Sequence, residues 1–256
     1  MKAKLNLTLV LILMFYMNSF AQSNKNNKIT FYMGIELGVS KTNLIGELSA
    51  FPNSEYDFSL FDQNSLTKGL IGPILNCTIN EKYALETGIL YEKKGTKLDA
   101  YTLHVTENTI TRKGFPIYLE YEYLQIPVMG KFKIGKNKFK GSIQAGPYFS
   151  FLHSAAIREV HITLSNPLNS GLKEDNRRNT QSIDIGWKIA IGGELNNSDK
   201  TTTYFIRYFA SGGFTRIDDF SETQLNEKLG NSKHLSHGLS VGFYFNIGSN
   251  KNEVNS

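Results

Sequence analysis

The 256-residue sequence predicts an all-β fold, an eight-stranded antiparallel up-and-down transmembrane β-barrel of the outer-membrane type. Three observations predict it. Apolar and polar residues alternate with period 2 over eight segments, the connections between the segments are short and long in turn, and aromatic residues gather at the segment ends.

Before the first segment, Lys2 and Lys4 precede an apolar run from Leu5 to Met17 that ends in Asn18-Ser19-Phe20-Ala21. Ser19 and Ala21 are small residues at the −3 and −1 positions of a signal-peptidase site, so residues 1–21 read as an export signal cleaved before Gln22. A spanning helix would need a longer run, ~20 residues. Residues 22–30 are then a short periplasmic segment, 31–248 the barrel and 249–256 a flexible tail. Loss of Lys2 and Lys4 takes the formal charge from +5 to +3, too little and too dispersed to indicate nucleic acid. Cys77 is the only cysteine, so no internal disulfide can form, and stability must come from another source such as a hydrogen-bonded closed wall.

The alternation is complete in the first segment: Phe31, Met33, Ile35, Leu37 and Val39 form one face, and Tyr32, Gly34, Glu36, Gly38 and Ser40 the other. Seven more segments follow the same grammar, at 69–79, 83–94, 122–134, 139–152, 182–195, 203–210 and 238–247. Spanning strands need only ~9–11 residues and show as alternation rather than as a run. Short connections fall at Asn80 to Lys82, Gly135 to Lys138 and Asn196 to Lys200, long ones at 41–68, 95–121, 153–181 and 211–237. A barrel with short periplasmic turns, long outer loops and both termini in the periplasm must show that order; a soluble meander has no such requirement.

With the first strand running outward, Phe31, Tyr83, Phe132, Phe139, Tyr204 and Phe245 form the periplasmic aromatic belt. Tyr91, Tyr121, Tyr123, Phe149, Phe151 and Phe214 form the outer one. Pro73, Pro127 and Pro147 fall inside strands, where they are read as bulges or kinks; if they ended strands, the count of eight would fail.

One stretch carries a family resemblance. Glu122-Tyr123-Leu124-Gln125-Ile126-Pro127-Val128-Met129-Gly130-Lys131-Phe132-Lys133, a turn, then Ala145-Gly146-Pro147-Tyr148-Phe149 resembles the hairpin of PorT-like outer-membrane β-barrel proteins. The glycine-rich first strand and Gly192-Gly193-Glu194-Leu195 are similar as well, so the likeness spans the mature chain. It implies a barrel inserted by the outer-membrane assembly machinery; the family takes its name from a component linked to protein secretion, nothing in this sequence singles the chain out as that component, and no activity is implied. The long segment at 153–181 and the tail have no counterpart in the pattern, and Phe243-Tyr244-Phe245 sits before the end rather than at it.

The polar faces hold the candidate site. Glu36, Glu86, Glu92, Asp184 and Glu194 fall inward with Lys94, Lys131, Lys133, Lys140, Lys188 and Arg207, five acids against six bases. Eight strands enclose a space that side chains just fill, and buried charges persist only when paired. The expected result is a salt-bridge network that plugs the lumen, formed by Glu36, Glu86, Glu92, Lys131, Lys133, Asp184, Lys188, Glu194 and Arg207.

Histidines 104, 153, 161, 234 and 237 are expected as surface residues in or beside the outer loops. His153 with Ser154, or His237 with Ser236, are adjacent on a strand and point to opposite faces, which denies them a nucleophile–base hydrogen bond. His234 and His237 lack a third ligand for a metal. No P-loop, dinucleotide fingerprint, zinc spacing or nucleophile elbow is present. No catalytic residue, cofactor or metal is therefore expected.

Residues 96–120 keep alternating about a turn at Glu107-Asn108, and 157–164 continue the fifth strand, so hairpins standing above the membrane are expected. The reading is a monomeric, non-enzymatic barrel in contact with outer-membrane lipid and the insertion machinery, acting through its long outer loops in structural, interaction or secretion-associated roles, with a protein partner as one option at those loops. Two rivals remain at this stage: a lipid-modifying enzyme, which needs Ser, His and an acid at the outer rim, and a soluble periplasmic ligand-binding barrel, which needs the apolar faces inside.

Overall fold

In the computed structural model, the described residues are 29–46, 62–79, 82–106, 109–135, 138–159, 173–197, 201–217 and 231–249. The export signal, most of the tail, the tips of three outer connections (47–61, 160–172 with His161, 218–230) and the turn 107–108 lie outside them.

Ten strands occur: β1 Ile29–Ile45, β2 Asp62–Ile79, β3 Tyr83–Gly88, β4 Leu90–Thr106, β5 Thr109–Ile134, β6 Phe139–Glu159, β7 Lys173–Asp175, β8 Ile183–Asn196, β9 Thr202–Gly213 and β10 Lys233–Ser249. They form eight staves. β3 and β4 are one stave interrupted at Ile89, since β2 and β5 each pair with both. β7 pairs with β6 at Ala156–Arg158, past the end of the β6–β8 ladder. All pairings are antiparallel between successive staves, and β1 pairs with β10 from Thr30↔Ser249 to Ile45↔Lys233, so the wall is a closed ring. Closure satisfies the backbone groups that an open edge would strand in hydrocarbon.

The outward face is apolar on every stave. Ile35, Ile71, Ile89, Val128, Ile143, Ile189, Ile206 and Val241, one from each, are all exposed, and Phe31, Phe139, Tyr204 and Phe245 are exposed near the end that carries the short turns. A soluble ligand-binding barrel needs these faces turned inward; they are not.

The strands run past any membrane. β5 is 26 residues long, against the ~9–11 a span requires, and β4 pairs with it without interruption from Leu90↔Gln125 to Thr106↔Thr109. Residues 95–121, read above as a long connection, are thus strand over 95–106 and 109–121, and the turn expected at Glu107-Asn108 lies outside the described residues. The inner faces of these extensions pack together. Leu44, Leu98, Ile117, Leu119, Tyr121, Ala155 and Ile217 form an apolar core that caps the outer mouth. The phase of β6 changes to allow it: Ser154 pairs with Glu122 but Leu152 with Tyr123, so His153 is a bulge, and Ala155 rather than Ser154 turns inward.

The prolines end no strand and mark no register shift. The bulges lie elsewhere, at Phe31/Tyr32, between Ser65 and Leu70, and at Glu122/Tyr123. Two prolines instead sit where the regular ladder is interrupted, although the Ile89 N–H still donates to the Pro73 carbonyl at 3.0 Å. Gly72-Pro73 faces the strand break at Ile89, and Gly146-Pro147 faces Val128 and Met129, where the β5–β6 ladder skips from Pro127↔Tyr148 to Gly130↔Ala145. Proline offers the neighbouring strand no N–H. The adjacent carbonyl, of Ile89 or Val128, lies over the glycine, in the place a Cβ would occupy.

Candidate functional site

The lumen is the most heavily charged part of the molecule, and alternation places its side chains: in a strand every second residue faces the same side. Arg207 on β9 is the centre of a lower layer. Its Nη1 donates to Glu86 Oε1 at 2.5 Å and Gln144 Oε1 at 2.8 Å, and its Nη2 to Glu36 Oε2 at 2.7 Å. Lys131 Nζ lies 2.7 Å from both Glu86 Oε2 and Glu194 Oε1, and donates to the Tyr244 hydroxyl at 3.0 Å. The Tyr244 hydroxyl in turn donates to Glu86. Lys133 reaches Glu194 Oε2 at 3.2 Å and Thr78 Oγ1 at 3.2 Å. Glu36, Thr78, Glu86, Lys131, Gln144, Glu194, Arg207 and Tyr244 come one from each of the eight staves, so the layer crosses the whole section.

An upper layer lies nearer the outer mouth. Asp184 Oδ2 accepts from Lys94 Nζ at 3.2 Å and from the Tyr148 hydroxyl at 3.0 Å, and its Oδ1 from Thr215 at 3.0 Å. Glu92 Oε2 accepts from Gln125 at 2.9 Å and lies 3.8 Å from Lys94. The Lys94 ammonium is 4.5 Å from the Tyr148 ring centroid and 5.3 Å from that of Tyr123, a favourable placement over π faces.

Each charge of the expected network thus has a definite position, while Lys140, also expected inward, is only half-buried. Glu36, Glu86, Lys131, Lys133, Glu194 and Arg207 meet in the lower layer, Glu92 and Asp184 in the upper one. Lys188, also buried, joins neither by an ion pair among the described residues and lies against Phe209, 4.6 Å from its ring centroid. The lower layer pairs three carboxylates with three cations; the upper holds two carboxylates and Lys94. Such pairs gain little net stability over apolar packing but penalise any register that separates them.

The aromatic and histidine readings need correction. Tyr121 and Tyr123, assigned to the outer belt, are 2% and 0% exposed and face the lumen. They share the parity of Gln125 and Lys131, which is the signal that places them. His234 is no loop residue: it lies in β10, 1% exposed, with Nε2 3.1 Å from the Tyr123 hydroxyl and both tyrosine rings edge-on to it. His237 is exposed, its Nδ1 3.0 Å from the Tyr208 hydroxyl on the outer wall, so the two histidines face opposite ways. Ser236 is buried while His237 is exposed, and Ser150 is buried while His153 is exposed. The described residues contain no cluster of three metal-ligating side chains. Tyr148, Phe205, Phe209 and Tyr244 also turn their rings inward; the parity they share with the inward charges is the signal that places them.

A closed ring with a lipid-like exterior and a charged filling agrees with the comparison to known families, where the family described as "outer membrane protein beta-barrel domain" matches residues 20–219. The chain belongs to that family. It is an outer-membrane β-barrel protein. Among solved structures it is similar to Neisserial surface protein A, at 13% identity and TM-score 0.40, covering 85% of this chain and 97% of that one. Ail of Yersinia pestis is similar at 11% identity and TM-score 0.37, with 84% and 99% covered. OprG of Pseudomonas aeruginosa is similar at 9% identity and TM-score 0.41, with 86% and 95% covered. No curated protein matches the chain.

Proposed function

We propose that this outer-membrane barrel is a non-enzymatic interaction protein that meets an extended polypeptide at the free edge of its β4–β5 hairpin. The hairpin carries the reading. β4 is covered by β2 as far as Asp99, and β5 by β6 as far as Ile117. Beyond those points the hairpin has two edges with no neighbour among the described residues. The β5 edge includes Arg112, Lys113 and Pro116, the residue types that discourage strand addition. The β4 edge, Ala100 to Thr106, has no charged residue and no proline, so it is the edge open to β-augmentation.

The other parts of the proposal rest on the sequence: a signal removed before Gln22, a barrel over 31–248, assembly by the outer-membrane insertion machinery, a monomer in outer-membrane lipid, and a PorT-like, secretion-associated role.

Main-chain pairing separates this proposal from side-chain recognition. A photocrosslinker at Thr102 should capture a protein partner in intact cells. A proline at whichever of Leu103 or His104 turns its N–H to the free edge should abolish that crosslink, and alanine there should not. Loss with alanine, or survival with proline, would contradict edge pairing.

A further inference from the structure

Cations at the outer end of the barrel are matched unevenly around its circumference. On one side Lys93 Nζ lies 3.0 Å from Glu122 Oε1, and Lys68 Nζ 2.7 Å from Glu120 Oε1. On the other side, β1, β9 and β10 contain a single carboxylate, Glu36, and it is buried in the lumen. The outward face of β1 is apolar from Phe31 to Val39, and that of β10 from Phe245 to Leu239. The next outward rung is Lys41 opposite His237, both exposed and neither with a carboxylate partner among the described residues. The Tyr208 hydroxyl of β9 is 3.0 Å from His237 Nδ1. With that hydroxyl donating, the imidazole keeps its proton on Nε2, its remaining donor. Lys233, half-buried, stands opposite Ile45, four residues further along β10, a rise of roughly 13 Å along the strand.

We propose that Lys41 and His237 bind a phosphate of the phosphorylated glycolipid of the outer leaflet, and that Lys233 meets the charged saccharide above it. The rung lies where the apolar band ends, which is the level of the lipid headgroups, and unmatched basic residues at that level attract anionic lipid. Two basic side chains directly opposite one another weaken a ladder unless an anion lies between them. The apolar run below the rung gives the acyl chains of the same molecule a bed. The step from Lys41 to Lys233 selects the class of lipid. A phospholipid has its one phosphate at the boundary and nothing tall enough to reach the upper lysine, whereas a phosphorylated oligosaccharide carries negative charge at both levels.

Native mass spectrometry of the full chain in detergent tests this, with rough lipopolysaccharide, the same lipopolysaccharide after enzymatic dephosphorylation, and dioleoylphosphatidylglycerol as the three probes. The wild-type barrel should retain the phosphorylated glycolipid and release the other two. Lys41→Gln and Lys233→Gln should each weaken that retention about fivefold, and Lys93→Gln, whose cation already has Glu122, should not. Equal retention of the dephosphorylated glycolipid, or undiminished binding in Lys41→Gln, would overturn the site. A loss as large in Lys93→Gln would reduce the effect to net charge and overturn it too. Phosphatidylglycerol retained as firmly as the glycolipid, or glycolipid binding indifferent to Lys233→Gln, would overturn the choice of lipid. The three wild-type arms decide the matter even if a variant fails to fold.

Discussion

Arg207 holds acceptors from three other staves, Glu36 of β1, Glu86 of β3 and Gln144 of β6. Glu86 also has Lys131, but among the described residues Glu36 has no other ion pair. Arg207→Met would thus leave Glu36 as a bare buried charge, and removing one partner of a buried pair costs about 3–5 kcal/mol. Urea unfolding of the protein in lipid vesicles should show a loss of that size. Adding Glu36→Gln should recover part of it, because the stranded charge is gone. A double variant that loses the sum of the two single effects would mean the residues are not coupled. The inner parity of these residues is legible in the sequence; the choice of partners is not, since any inward charge can reach several others across so narrow a lumen. Tyr121 and Tyr123 show a second limit. Their aromatic character suggested a membrane belt, but parity with Gln125 places them inside, and parity is the stronger signal wherever no bulge intervenes.

A bulge is what hides the rest at the level of elements. Counting twos through β6 turns Ser154 inward; the extra residue at His153 brings in Ala155 instead, and nothing in the composition there announces it. The hairpin of β4 and β5 was legible because its alternation continues to the turn, though it resembled a loop for want of a lipid-facing stripe. The two Gly-Pro pairs are legible as irregularities but not as what they are. They are local repairs: proline withdraws a rung, and the neighbouring carbonyl settles over the glycine. Gly146→Ala would push a Cβ into the Val128 carbonyl, an overpacking that costs about 1–3 kcal/mol. A lower urea midpoint for Gly146→Ala than for Ala145→Gly, whose outward Cβ meets no such constraint, is the expected order. The reverse order would show that the β5–β6 gap is loose rather than filled.

At the scale of the whole molecule the barrel is closed three times over. The lower charged layer draws on all eight staves, the upper layer joins Asp184, Lys94 and Glu92, and the apolar core around Leu98, Ile117 and Leu119 caps the outer mouth. The eight-fold count, the outward apolar band and the outer-membrane location were readable from the chain; the cap was not, because the cap residues belong to segments that the sequence presents as connections. A lumen crossed by paired charges and capped by apolar side chains leaves no path for ions, and single-channel recording of the purified protein in planar bilayers checks this. No sustained conductance is expected at any applied voltage the bilayer withstands; a stable nanosiemens-scale channel would show that the lumen is open.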